Sequence, residues 1–141
     1  MPGVRDDTAD LAGPDDMAAV FETTRFVTCV PPAVGGSGNP SHATARGVVC
    51  AMEAALDHLG RGDLGGKTVA MQGAGNVAGF MIDELLARGI GRVIASDISA
   101  PRIEELPQHY AGRPVELRLA AADDRSIFAE PCDVFAPNAL G

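Results

Sequence analysis

The chain has 141 residues, the size of one domain, and a fold of that length buries roughly two thirds of the surface its unfolded chain exposes. Hydrophobic residues make up 46% and charged residues 21%. No apolar run approaches the ~20 residues of a membrane span, and no apolar segment near Met1 reads as a signal peptide, so no membrane partner and a cytoplasmic location are expected.

Residues 1–14 are polar, acidic and punctuated by Gly and Pro, which reads as a flexible N-terminal segment. Asp15 or Asp16 is placed to cap a short helix reaching Thr23, and residues 26–30, "FVTCV", read as extended and apolar. The next stretch, "PPAVGGSGNPS", is too rich in Gly and Pro for regular structure, and its length suggests function. Ser41 is a plausible N-cap for a helix over 41–59 with Val48, Met52, Ala55, Leu56 and Leu59 on one face, stopped by Gly60. After a turn, residues 67–72, "KTVAMQ", form an apolar run of the kind buried in a parallel sheet. Val77, Met81, Leu85 and Leu86 mark a helix ending near Gly89, and residues 92–96 make a second strand that closes on Asp97. A helix over 101–110, a strand over 115–120, a short helix over 123–129 and a strand over 132–136 complete the pattern.

Strands alternating with helices at this spacing predict an α/β fold. A Rossmann-like, doubly wound, mostly parallel sheet with helices on both faces is expected, incomplete at its C-terminal end. The expected organisation is the flexible segment over 1–14, a linker helix, loop and long helix over 15–66, and a dinucleotide-binding domain over 67–141. The formal net charge of −8, with one Tyr and no Trp, argues against a nucleic-acid partner, which would need cations for phosphates and rings for bases. Cys29, Cys50 and Cys132 contain no C-x-x-C pair and read as small buried apolar residues. His42, His58 and His109 lack metal-ligand spacing, so no metal is expected.

The chemistry concentrates at residues 71–80, "MQGAGNVAGF", whose Gly73-Ala-Gly75-Asn76-Val77-Ala78 fits the G-x-G-x-x-G/A fingerprint. A dinucleotide site needs a strand, a tight glycine turn, a helix whose positive end faces the pyrophosphate, and an acid ending the next strand for the ribose hydroxyls. All four occur in order. Gly73 serves the turn, Gly75 lets phosphate approach the backbone, Ala78 lets helix and strand pack closely, and Asp97 follows slightly beyond the usual spacing of roughly 20 residues. A carboxylate at that point accepts from a free 2′-hydroxyl and repels a 2′-phosphate, which favours NAD over NADP, although Arg102 one helical turn later blurs the preference. A methyltransferase also places an acid after its second strand, so the residues alone leave an S-adenosylmethionine binder open. A short-chain dehydrogenase is excluded, because Tyr110 is followed four positions later by Pro114 and not by lysine.

Several stretches together resemble the amino acid dehydrogenases acting on glutamate, leucine, phenylalanine and valine. "SGNPSHATARGV" (37–48) is similar to that family's S-x-x-T-[AG]-x-G segment, and "LGGKTVAMQGAGNVA" (64–78) to its L-x-G-x-x-V-A-V-Q-G-x-G-N-V-[GA] segment. "SDIS" (96–99) resembles its second-strand end, and "PCDVFAPNALG" (131–141) its C-D-[IV]-[FY]-A-P-C-A-[LM]-G segment. Ala45 and Ala78 stand where the glutamate branch usually carries glycine, which favours the leucine, phenylalanine and valine branch.

The resemblance implies the family's C-terminal NAD(P)-binding domain, and an activity in which a small apolar L-amino acid loses a hydride to the nicotinamide and becomes a 2-oxo acid. It implies that Gly73, Gly75, Asn76 and Val77 meet the pyrophosphate and nearby ribose, Asp97 and Ile98 the adenosine end, and Thr44 the nicotinamide side. Ala136, Pro137 and Asn138 would line the cleft near the adenosine and ribose, with Asn138 standing where cysteine is usual. It also implies a homo-oligomer, formed mainly through a substrate domain that these residues do not include. The family's catalytic lysines belong to that domain, and Lys67, the only lysine here, begins the first strand, away from the crevice at the strands' carboxyl ends. The family's catalytic aspartate has its counterpart in Asp10, within "DLAG", or in Asp7, neither of which reproduces the motif; composition alone reads that segment as a solvated acidic tail. A non-catalytic NAD(H)-binding or interaction module is therefore the alternative to a dehydrogenase.

Overall fold

The protein is described from a computed structural model covering residues 14–139. The chain packs as two units, residues 1–40 and 41–141. In the first, α1 (Pro14–Thr23) carries Asp15 and Asp16 in its opening turn, where carboxylates complement the helix dipole. Residues 26–30 do not form the extended apolar segment that their composition suggests. Phe26 is 99% exposed, and Cys29 takes φ 63°, a left-handed conformation that interrupts any strand. A 3-10 turn at Pro32–Val34 follows, and Gly36 lies so near the Val30 backbone that a Cβ there would sit 1.9 Å from the Val30 carbonyl oxygen.

The second unit opens with α2 (Ser41–His58) and continues through β1 (Thr68–Gln72), α3 (Asn76–Ala87), β2 (Arg92–Asp97), α4 (Ala100–Glu105), β3 (Val115–Leu119) and β4 (Val134–Pro137). The four strands form one parallel sheet in the order β3-β2-β1-β4. The chain steps outward from β1 to β2 to β3, then crosses back to lay β4 on the other side of β1. The α/β architecture expected from the alternation of elements is thus present.

Strand alternation sends Val69, Met71, Val93, Ala95 and Ala136 to one face, where they pack with Ala45, Val49, Met52 and Leu56 of α2 and Ala78, Met81, Ile82 and Leu85 of α3. Removing a fully buried side chain here, such as Met71→Ala, costs about 2–5 kcal/mol. The opposite face is thinner: Ala70, Ile94 and Phe135 meet Ile127 from a 3-10 turn at Ser126–Ala129. Helical cover is therefore uneven, with a 3-10 turn at Ser126–Ala129 where a short helix was expected over 123–129.

Three further expectations shift. The apolar stripe of α2 divides in two, because Val49, Met52 and Leu56 enter the core while Val48 and Leu59, 36% and 66% exposed, face an apolar groove beside β4. The helix expected over 101–110 gives way after Glu105 to a 3-10 turn at Leu106–Gln108, since a proline at 107 has no N–H to continue the ladder. The cysteines are not buried apolar residues: Cys50 and Cys132 are exposed and Cys29 half-buried. No helix among the described residues is long and apolar enough to cross a membrane.

Candidate functional site at the carboxyl end of the sheet

β1 runs directly into Gly73, whose φ of 96° turns the chain sharply, and whose N–H donates to the Ser96 carbonyl at 2.7 Å. A Cβ at Gly73 would lie 2.8 Å from the Ala139 nitrogen, so glycine is also required by the chain leaving β4. Asn138 closes that side: its N–H donates to the Gln72 carbonyl at 2.7 Å and its Nδ2 to Met81 Sδ at 3.5 Å. Ala136 is buried in the sheet, and Pro137 is exposed at its end.

Gly75 caps α3 in an extended conformation without a side-chain hydrogen bond, and nothing stands within 4 Å of where its Cβ would be. The opening turn of α3 thus presents N–H donors and a positive dipole end with open space above the glycine. Asn76 is exposed and accepts from Arg102 Nη1 through Oδ1 at 2.9 Å. Val77 is half-buried, and Ala78 packs into the core, which lets α3 lie close on the sheet.

Asp97 ends β2 beside this turn. Its Oδ2 accepts the Ala74 N–H at 2.6 Å and its Oδ1 the Ser99 N–H at 2.8 Å. The carboxylate is thereby fixed at the edge of a cleft of about 300 Å³ lined by Gly73, Asp97, Ile98 and, from the chain after β3, Ala121 and Arg125. Ile98 is largely exposed there. Arg125 and the alanines were not among the candidates read from the sequence, although any residue following a parallel strand was eligible by position.

Thr44 lies in the first turn of α2 and is exposed. The His42 ring meets Phe80 edge-on with centroids 5.5 Å apart, and further along Arg88 reaches Glu53 at 3.0 Å. The two helices therefore run in the same direction, and Thr44 shares an end of the fold with Gly73, Gly75 and Asp97. Lys67 lies at the other end, directly before β1, where its carbonyl accepts the N–H groups of Gly91 and Arg92. Asp10 and Asp7 fall outside the described residues.

The electrostatic pairs sit around the site and not in it. Arg88 hydrogen-bonds Glu84 and holds its carboxyl below the ordinary carboxylate range. Arg118 and Arg92 do the same for Glu116. The arrangement at the sheet's carboxyl end can accept hydroxyl donors at Asp97 and an anion at the start of α3; among the described residues it gathers no nucleophile with a base.

Residues 35–141 match the family model described as glutamate/leucine/phenylalanine/valine dehydrogenase. Leucine dehydrogenase of Bacillus cereus is 38% identical over 128 residues, covering 90% of this chain and 33% of that protein. Phenylalanine dehydrogenase of Lysinibacillus sphaericus is 32% identical over 128 residues, with the same coverage of 90% and 33%. Among solved structures, L-tryptophan dehydrogenase from Nostoc punctiforme superposes with a TM-score of 0.62 at 27% identity, over 91% of this chain and 33% of that one. The chain spans about a third of the length of the curated relatives it matches. The glycine turn, the acid ending β2 and the segments around them all fall within the matched residues. The chain belongs to the glutamate, leucine, phenylalanine and valine dehydrogenase family.

Proposed function

We propose that this chain is the cofactor-binding part of an NAD-dependent amino acid dehydrogenase, a cytoplasmic enzyme that oxidatively deaminates a small apolar L-amino acid to the 2-oxo acid. The observation that carries the reading is the bond from the Ala74 N–H to Asp97. It holds the glycine turn and the ribose-reading acid together at the carboxyl ends of adjacent parallel strands, where open α/β sheets take their ligands. The residues fit a dinucleotide: Gly75 leaves its approach open, α3 offers its positive end to the pyrophosphate, and Asp97 retains acceptor capacity beyond its two backbone donors.

In this reading Gly73, Gly75, Asn76 and Val77 bind the pyrophosphate and nearby ribose. Asp97 and Ile98 bind the adenosine end, Ala136, Pro137 and Asn138, which border the groove beside β4, lie near the adenosine and ribose, and Thr44 approaches the nicotinamide. The domain spans 67–141, with 15–66 leading into it. When bound, the nicotinamide supplies the hydride acceptor; the chain's own residues bind and orient it. Substrate binding, proton transfer and assembly into a homo-oligomer belong to a lysine-bearing substrate domain.

A second reading, a non-catalytic NAD(H)-binding module, is favoured by one observation. Lys67 is the only lysine, and it lies before β1, at the far end of the sheet from the cleft.

Titrating NADH against the 141-residue protein by fluorescence or calorimetry tests what both readings share, and saturable binding is expected. Fusion to a lysine-bearing substrate domain of the same family separates them. Amino-acid-dependent NADH formation supports the dehydrogenase, and binding without turnover supports the module.

A further inference from the structure

The cleft beside Asp97 also holds a guanidinium that the dinucleotide fingerprint does not require. Arg125 precedes the turn at Ser126–Ala129 and lines the same cleft of about 300 Å³ as Asp97 and Ile98. Other arginines nearby are engaged: Arg118 bonds Glu116 and Glu130, and Arg102 bonds Asn76. Arg125 makes no ion pair among the described residues, and its guanidinium carbon lies 6.0 Å from the Phe128 ring centroid, at the outer limit of a cation–π contact. In a chain of net charge −8, an uncommitted cation in a cleft is a specific feature.

Asp97 is held in place by both flanking turns and faces the cleft that Arg125 shares. Each of its oxygens already accepts a backbone N–H, from Ala74 and from Ser99, so part of its acceptor capacity is committed to the two turns. Small side chains at Ala121 and Ala122 leave room in the wall from which Arg125 projects. A 2′-phosphate entering the cleft would meet, opposite the Asp97 carboxylate, a guanidinium, the group best matched to phosphate geometry.

We propose that Arg125 is a second determinant of dinucleotide choice: it pairs with the 2′-phosphate of NADP(H), so the chain takes NADP(H) as well as NAD(H), with Asp97 and Arg125 setting the ratio. The inference rests on the reading that this cleft receives the adenosine end of a nicotinamide dinucleotide.

The test is a titration of the 141-residue protein, Arg125→Ala and Arg125→Lys with NADH, NADPH, ADP and 2′,5′-ADP. Among the described residues the Arg125 side chain makes no hydrogen bond that either substitution would break, and matching melting curves check that the variants fold. Arg125→Ala is expected to weaken NADPH and 2′,5′-ADP at least tenfold while NADH and ADP stay within twofold, and Arg125→Lys to recover most of the loss. Equal loss for all four ligands, no loss for any, or a parent protein that binds NADH but not NADPH overturns the inference alone. Failure of the parent to bind any of the four overturns the dinucleotide reading and this inference with it.

Discussion

Asp97 accepts the Ala74 N–H at 2.6 Å with one oxygen and the Ser99 N–H at 2.8 Å with the other, so one carboxylate ties the glycine turn after β1 to the turn after β2. The residue expected to read ribose hydroxyls also holds the loop that would meet the pyrophosphate. Asp97→Asn turns an amide NH2 toward one of these donors, and Asp97→Ser reaches neither well. Leaving a part-buried N–H unsatisfied costs about 1–3 kcal/mol, which thermal unfolding will register. Both substitutions should weaken NADH more than NADPH in titrations; equal affinities to the parent for both ligands would remove Asp97 from the site.

The two fingerprint glycines should separate folding from binding. Gly73→Ala places a Cβ 2.8 Å from backbone at Ala139 and forces alanine to φ 96°, so it should lose about 1–3 kcal/mol from the backbone conformation alone. Gly75→Ala meets nothing within 4 Å and has an ordinary φ of −69°, so its melting temperature should match the parent. In the proposed site its methyl group would nevertheless stand where the pyrophosphate approaches, and NADH affinity should fall at least tenfold. A Gly75→Ala variant that binds as well as the parent would argue against phosphate over the start of α3.

Much of this was legible because it depends on local rules. The apolar run before Gly73, the helix after it and the acid at Asp97 each follow from residue type and spacing, and the sheet places them together. What escaped depends on partners distant in sequence. Val48 and Leu59 have the period of core residues, yet α2 turns them to a groove beside β4, since α3 takes the neighbouring stripe. "FVTCV" has strand composition, but among the described residues no strand pairs with it to complete a ladder. Arg125 lies 28 residues beyond Asp97 in the chain and reaches the same cleft only because β3 pairs in parallel with β2.

Acid should loosen the far edge of the sheet. Glu116 of β3 accepts from Arg92 of β2 at 2.5 Å and from Arg118 at 2.6 Å, and Arg118 also bonds Glu130. These hydrogen bonds hold the Glu116 carboxyl below its ordinary value of 4.5. A depressed folded-state pKa gives stability that is present above the unfolded value and lost as pH falls through the folded one. The parent melting temperature should therefore decline as pH drops below about 4.5, and Glu116→Gln should show a shallower decline. The difference should be small, because the pair is exposed and screened by salt.

Alkali tests the opposite sign at Tyr110. Its hydroxyl donates to the Gly79 carbonyl at 3.1 Å and its ring is only 8% exposed, pinning the chain after α4 against α3. Burial first, and the Asp83 carboxylate second, push its pKa up from 10.0 to about 12. A group whose pKa is raised by folding lends stability that is complete below the unfolded value and lost as pH rises through the folded one. Melting temperature should thus fall between pH 10 and pH 12 in the parent. Tyr110→Phe gives up the hydrogen bond, about 1 kcal/mol at neutral pH, but has no phenol to ionise, so its curve should be flatter across that interval. Parallel curves for the two proteins would mean that the alkaline transition arises elsewhere, and that Tyr110 serves α3 by packing alone.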